Sequence, residues 1–338
     1  MKPEFDNLVE QHQLAWRAAS ALTKVRGSHK GVERGWILPE ESWEEGLWPG
    51  VRSGSDHPVQ AYLDTHGASR HTGANNLKSS WSLCANLYFP FGADRNGKEL
   101  LAGFLKEHCA PEVQSVESVE LEYALEGDLH PSCLLGEAGG SRGKGQTSPD
   151  AAFVVNGGRG LILTECKFTE HSFYECSART TAGSDRRPGN PDPSRCLNAV
   201  AVLDSPATQC HQAAWGRKYF ERLATAANRA VWASLIGCPA AFAGYQLFRQ
   251  QALAEGIASS GAYDLVVSSV AVDARNDVLA KSLSSTGVSS IAEWGRLFQG
   301  RARFAVFTHQ QWFKWVREQQ DGPWSAWCTW VGNRYGFE

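Results

Sequence analysis

Asp150 and the pair Glu165 and Lys167 are the residues of this chain whose types and spacing could carry out chemistry together. Asp150 follows Ser148-Pro149 and leads into the apolar run Ala151–Val155, and Glu165-Cys166-Lys167 follows the apolar run that starts at Leu161. Residues two apart on a strand share a face, so Glu165 and Lys167 act from one side and Cys166 lies on the other. Two carboxylates on adjacent strands can hold a hard divalent ion, Mg²⁺ or Mn²⁺, and leave positions for water and a phosphate oxygen. A neighbouring lysine can orient the attacking water and offset charge that builds on the phosphate. The bland alternative is an aspartate capping a turn and a Glu–Lys pair on a surface strand. Against it, Leu161-Ile162-Leu163 is apolar on both faces, as in a central strand. Charges continuing such a strand are costly unless they serve a site.

The element that must position these groups is a hairpin. Ala151–Val155 and Leu161–Thr164 flank Asn156-Gly157-Gly158-Arg159-Gly160, a strong turn signal. A symmetric five-residue loop would pair Val155 with Leu161 and set Asp150 opposite Cys166, on the wrong face. The site therefore requires an offset of one residue, which three glycines make cheap.

Around the hairpin, the spacing of apolar residues predicts a helix over 4–25, then an irregular Gly-, His- and Ser-rich stretch over 27–75. A helix over 96–108 takes Asn96 as its cap. Alternation from Val119 to Leu125 predicts a strand with Glu120, Glu122 and Glu126 on its polar face. Residues 136–148, with Arg142 and Lys144, read as a mobile loop. Helices follow over 207–235, 239–254 and 289–298, and buried strands at Leu265–Val272 and Arg303–Phe307. Thr308 and Gln311 have capping-box spacing. This order predicts an α/β fold with a central mixed sheet covered by helices on both faces. The division expected is an N-terminal helix and irregular extension over 1–75 and one further domain over 76–338.

The 338 residues are 42% hydrophobic with a formal charge of −3, which excludes global disorder and a uniformly basic chain. No run approaches the ~20 apolar residues of a membrane span, and the start lacks the apolar stretch of a signal peptide. A cytoplasmic location is expected. Nine cysteines, an odd number without small-domain spacing, fit reduced thiols or metal ligands better than disulfides. Cys166 should face away from the acids and belong to the core. Cys176, Cys196 and Cys210 remain as candidate ligands of Zn²⁺ or an iron–sulfur cluster, with His171 or His211 as a fourth, against the alternative of ordinary buried thiols. Arg179, Arg186, Arg187 and Arg195 make the loop over 177–196 locally basic, a surface that could track a nucleic-acid backbone.

Pro149-Asp150 and Glu165-Cys166-Lys167, joined by a hairpin, resemble the PD-(D/E)xK nuclease superfamily. The run Glu165-Cys166-Lys167-Phe168-Thr169-Glu170 and the segment from Leu77 to Leu87 are similar to a bacterial restriction-endonuclease-like subgroup. The motif-bearing part covers roughly residues 76–235. The resemblance implies a restriction-endonuclease-like core and Mg²⁺-dependent hydrolysis of phosphodiester bonds, with DNA favoured and RNA left open. Asp150 and Glu165 would hold the ion and Lys167 would position water. It also implies an upstream acid, for which Glu122 is the candidate while Glu120 and Glu126 share its face. A later helix would supply Gln or basic groups, with Gln209, Gln212, Arg217 and Lys218 as candidates for nucleic-acid contact. Homodimerisation and a setting in restriction or phage defence are compatible with such a protein. Rival readings are an inactive nucleic-acid-binding module on the same scaffold and an interaction protein stabilised by metal-bound cysteines.

Overall fold

The computed structural model describes residues 4–184, 187–319 and 323–338. Two short strands, β1 (Gly27–His29) and β2 (Val32–Arg34), make a small antiparallel hairpin near the N-terminus. The central sheet follows with β3 (Val116–Leu121), β4 (Ala151–Val155), β5 (Gly160–Lys167), β6 (Leu265–Val272) and β7 (Arg303–Thr308). Its five strands lie side by side in chain order. The β3–β4 and β4–β5 pairs are antiparallel, and β5–β6 and β6–β7 are parallel, so the sheet is mixed.

Every residue of β5 and β6 is buried, as expected for strands covered on both faces. Phe153, Ile162, Cys166, Val267 and Ala271 join one core, shared with the helices Ser80–Leu87, Arg95–His108 and His309–Glu318. Leu161, Leu163, Val266 and Val270 join the other, shared with the helix Tyr245–Ser260. The tryptophans explain themselves here: Trp81, Trp232, Trp294, Trp312 and Trp327 are fully buried. The N-terminal part is irregular as expected, with 3-10 turns and the short helix Val59–Thr65. Phe5, Val9, Trp43, Val59 and Leu63 pack into the same core as Trp81 and Phe91. No helix among the described residues is long and apolar enough to cross a membrane.

Several elements differ from expectation, each for a local reason. The first helix stops at Ala19. The helix Arg95–His108 is capped two residues earlier than predicted, by Asp94, whose carboxylate accepts from Gly97 N at 2.7 Å. The expected helix over 207–235 is broken into short pieces, one of which ends at Gly216 with φ 72°. The helix expected over 239–254 splits at Gly244. A Cβ there would stand 2.5 Å from the Trp294 ring and 2.6 Å from the Pro239 carbonyl oxygen, so only glycine admits that close approach. The stretch 289–298 forms a 3-10 turn, Ala292–Leu297. The capping box at Thr308 and Gln311 is present as read.

Candidate active site

The hairpin supplies the offset that the site requires. Val155 pairs with Gly160 and Ala151 with Thr164, which leaves a four-residue loop, Asn156 to Arg159. Asn156, Gly157 and Gly158 have φ of 58°, 66° and 81°, a run of left-handed residues that Asn and Gly tolerate best. This register sets Asp150 across from Glu165 instead of Cys166. The Asp150 carboxylate closes the end of the ladder, with Oδ2 accepting the Cys166 N–H at 2.7 Å.

Beyond the ladder four carboxylates and one ammonium gather. Lys167 Nζ donates to Glu165 Oε1 at 2.6 Å, with both side chains nearly enclosed. Gln246, in the first turn of the helix Tyr245–Ser260, donates to the same oxygen at 2.7 Å. Asp150 is only partly buried, so solvent reaches the cluster from its side. Burial and the nearby Glu165 push the Asp150 carboxyl well above the usual range. Burial alone would depress the Lys167 ammonium, but Glu165, Glu170 and Asp150 reverse that and hold it protonated.

Glu122 lies one residue beyond β3, and the strand ends there because Glu122 has φ 48°. Its backbone is held by Asp150, whose carbonyl accepts the Glu122 N–H at 3.2 Å. Burial, then Asp150 and Glu165, raise its carboxyl well above the ordinary value. Glu120 goes elsewhere, accepting from the Tyr62 hydroxyl at 2.7 Å. A left-handed non-glycine residue stores strain, and such strain clusters at functional sites. Arg142 pins this bend: its guanidinium donates to the carbonyls of Glu122 and Leu121, both at 3.0 Å, and to the Tyr62 hydroxyl at 2.7 Å. The loop read as mobile is therefore tied down at Arg142.

Deeper groups fix the strand that carries the lysine. His309 bridges the Tyr88 hydroxyl, 2.8 Å from Nδ1, and the Lys167 carbonyl, 3.0 Å from Nε2. Burial lowers the His309 pKa to about 4, so the ring is neutral. Gln250, one turn after Gln246, donates to the Leu163 carbonyl at 3.1 Å and the Ser269 carbonyl at 2.9 Å. Glu170 Oε2 accepts from Phe168 N at 2.7 Å. At the mouth stands Tyr174, 51% exposed and close enough to Lys167, Glu170, Glu165 and Asp150 to feel their charges.

The other expected contacts distribute differently. Gln212 points inward, donating to Cys176 Sγ at 3.1 Å and to the Tyr245 hydroxyl at 3.0 Å. Arg217 donates to the Gly136 carbonyl at 2.6 Å. Among the described residues no hydrogen bond or ion pair joins Gln209, Gln212, Arg217 or Lys218 to the acids. The glutamine that does reach them is Gln246, within the helix expected over 239–254. Its signal was its place at a helix start, with Gln250 on the same face. Cys166 is core, as expected. Cys176, Cys196 and Cys210 line one cavity together with the expected His211, and Cys238 adds a fourth thiol. His171 is exposed, and His211 Nε2 lies 2.8 Å from the Pro188 carbonyl. Of the loop arginines, Arg186 lies outside the described residues. Arg179 and Arg195 bond the Ala241 and Thr208 carbonyls, at 3.2 and 2.6 Å.

As the side chains stand, no three His, Cys, Asp or Glu among the described residues surround one point as a single ion would need. No curated protein and no solved structure matches the chain. A family model described as Restriction Endonuclease associating with ARP matches residues 10–336, a span that takes in the hairpin, the acids and the Gln246 helix. A match over nearly the whole chain makes this protein a member of that restriction-endonuclease family.

Proposed function

We propose that the chain is a metal-dependent nuclease of the PD-(D/E)xK type that hydrolyses phosphodiester bonds in DNA. The observation that carries this reading is the meeting of Asp150, Glu165 and Lys167 at the end of one central hairpin, with Glu122 behind them. Four carboxylates around one ammonium leave negative charge uncompensated, which is the electrostatic setting for a hard divalent cation. Asp150 and Glu165 would hold Mg²⁺ or Mn²⁺. Asp150 uses Oδ2 for the Cys166 N–H, leaving Oδ1. Glu165 receives Lys167 and Gln246 on Oε1, leaving Oε2. Two carboxylates, completed by water and phosphate oxygens, suit Mg²⁺, which keeps several waters. When bound, such an ion polarises a phosphate oxygen and acidifies a water.

The chain's own residues do the rest. Lys167, kept protonated, orients water and offsets charge on the phosphate as it is attacked. Gln246 fixes the rotamer of Glu165, and His309 fixes the backbone of Lys167 through its carbonyl. Tyr174 offers an exposed ring at the mouth, where a sugar or base could rest. The family's description also couples such nucleases to ARP, which makes ARP the first partner to test by co-purification.

Incubation with plasmid, linear duplex, single-stranded DNA and RNA, in Mg²⁺, Mn²⁺ or EDTA, tests the proposal. Cleavage of DNA that needs the divalent ion and is lost in Asp150→Asn supports it. DNA binding without cleavage under every condition would leave an inactive binding module instead.

A further inference from the structure

Four of the nine cysteines converge although they come from four separate stretches of chain. Cys176, Cys196, Cys210 and Cys238 line one enclosed cavity, walled otherwise mainly by apolar and aromatic side chains such as Tyr219, Phe220 and Phe248. The centre of a water-sized atom has about 20 Å³ to occupy inside it. One water needs roughly 10–15 Å³ by that measure, yet a dry wall offers water few partners. Of the other five cysteines, Cys84 and Cys166 meet in the other core, and none of the five lines this cavity.

One sulfur also has a side-chain donor: Gln212 Nε2 donates to Cys176 Sγ at 3.1 Å. Cys196 and Cys238 are locked together through the backbone, Cys238 N donating to Cys196 O at 2.7 Å. Hydrogen bonds to sulfur favour thiolate over thiol, and they accompany metal–thiolate centres. A largely apolar pocket that gathers four thiols and aims an N–H at one of them makes sense if a cation is to hold the thiolates there.

The spacing that each centre asks of its ligands bears on which cation. Zinc sits ~2.3 Å from each sulfur, which draws four sulfurs to roughly 4 Å from one another. Among the described residues no three His, Cys, Asp or Glu surround one point as a single ion would need. A cubane cluster binds each cysteine through a different iron, so its ligands stand further apart around a filled centre. We propose that Cys176, Cys196, Cys210 and Cys238 ligate an iron–sulfur cluster, a structural centre separate from the acid site. It would clamp the segment after β5 to the start of the helix Tyr245–Ser260. That segment is already stitched there, Phe173 N to Ala243 O at 2.9 Å and Cys176 N to Ala240 O at 3.0 Å.

The test is metal and acid-labile sulfide analysis of the full chain purified without oxygen, with visible absorption spectra. About four irons and four sulfides per chain, and a brown colour bleached by dithionite, are expected. Cys238→Ser should lower both contents severalfold, whereas Cys133→Ser, at an exposed cysteine outside the cavity, should leave them unchanged. Should Cys238→Ser fail to fold, electron paramagnetic resonance of the reduced wild-type chain provides the same decision. One zinc per chain with no iron overturns the proposal. So does wild-type protein that stays iron-free after reconstitution with iron and sulfide. The same analysis on Asp150→Asn gives the expected iron whether or not the nuclease reading survives.

Discussion

The Lys167–Glu165 pair allows a stability prediction to be worked through. Its side chains are 4% and 10% exposed, and Nζ lies 2.6 Å from Oε1. With charge centres ~4 Å apart and an effective dielectric of ~20, the attraction is about 4 kcal/mol. Lys167→Met removes the cation and leaves Glu165 among Asp150, Glu122 and Glu170. Breaking one side of a buried pair costs about 3–5 kcal/mol, because the stranded charge has no water to return to. Glu165→Gln should cost less, since it also removes a like charge from the cluster. The double variant should recover most of the loss, giving a coupling energy of about 2–4 kcal/mol. Urea unfolding of the four proteins at pH 8, without divalent ions, measures it through midpoints and slopes. A coupling below about 1 kcal/mol would mean that the pair is screened like a surface ion pair, and the reasoning from burial would fall.

Further outcomes are expected. Asp150→Asn and Glu165→Gln should each reduce Mg²⁺-dependent DNA cleavage by at least about a hundredfold, read as initial rates on linear duplex; wild-type rates in either would refute their role. His309 is held neutral with its pKa near 4 against an ordinary 6.5, so the fold binds fewer protons than the unfolded chain between these values. Stability should therefore fall by about 3 kcal/mol as pH drops from 6.5 to 4, and the pH profile of His309→Gln should be flatter by that amount. Asp150 and Glu122 are shifted the opposite way, so their contribution to metal-free stability declines as pH rises above the ordinary carboxylate range. Added Mg²⁺ should raise the melting temperature more at pH 8 than at pH 6, and calorimetry of Asp150→Asn should lose that difference. Gly244→Ala forces a methyl against Trp294 and the Pro239 carbonyl and should cost about 1–3 kcal/mol in urea unfolding.

The apolar runs of β4, β5 and β6 announced the sheet because buried strands need no polar alternation, whereas β7, expected to be buried, lies at the sheet edge and alternates between buried and partly exposed residues. The hairpin's glycines announced its turn. Its loop length was not readable, since four and five residues both satisfy the composition and only the left-handed run at Asn156, Gly157 and Gly158 separates them. The long helix expected over 207–235 failed because its alanines favour helix locally while Gly216 and the packing of short segments override them. Gln246 escaped assignment for a geometric reason. Which of several helices crosses the end of β5 depends on the β5–β6 crossover, and no local pattern encodes that. Cys238 was missed because its distance in sequence from Cys176 hides their shared cavity.

The sheet order also governs how the chain is made. β5 pairs on one side with β4, its hairpin partner, but on the other side with β6, Gly160 opposite Leu265 and Thr164 opposite Ser269. The Thr164 and Ser269 hydroxyls that meet across this seam are 105 residues apart. At ~5–20 residues per second of synthesis, Leu161-Ile162-Leu163 waits roughly 5–20 s for the strand that covers its edge. During that interval the nascent chain presents an apolar, hydrogen-bond-hungry edge to its surroundings. The same delay postpones His309, and with it the anchor of Lys167, until most of the chain has emerged. A ribosome-bound fragment ending before β6 thus has its acidic residues but not the framework that aligns them.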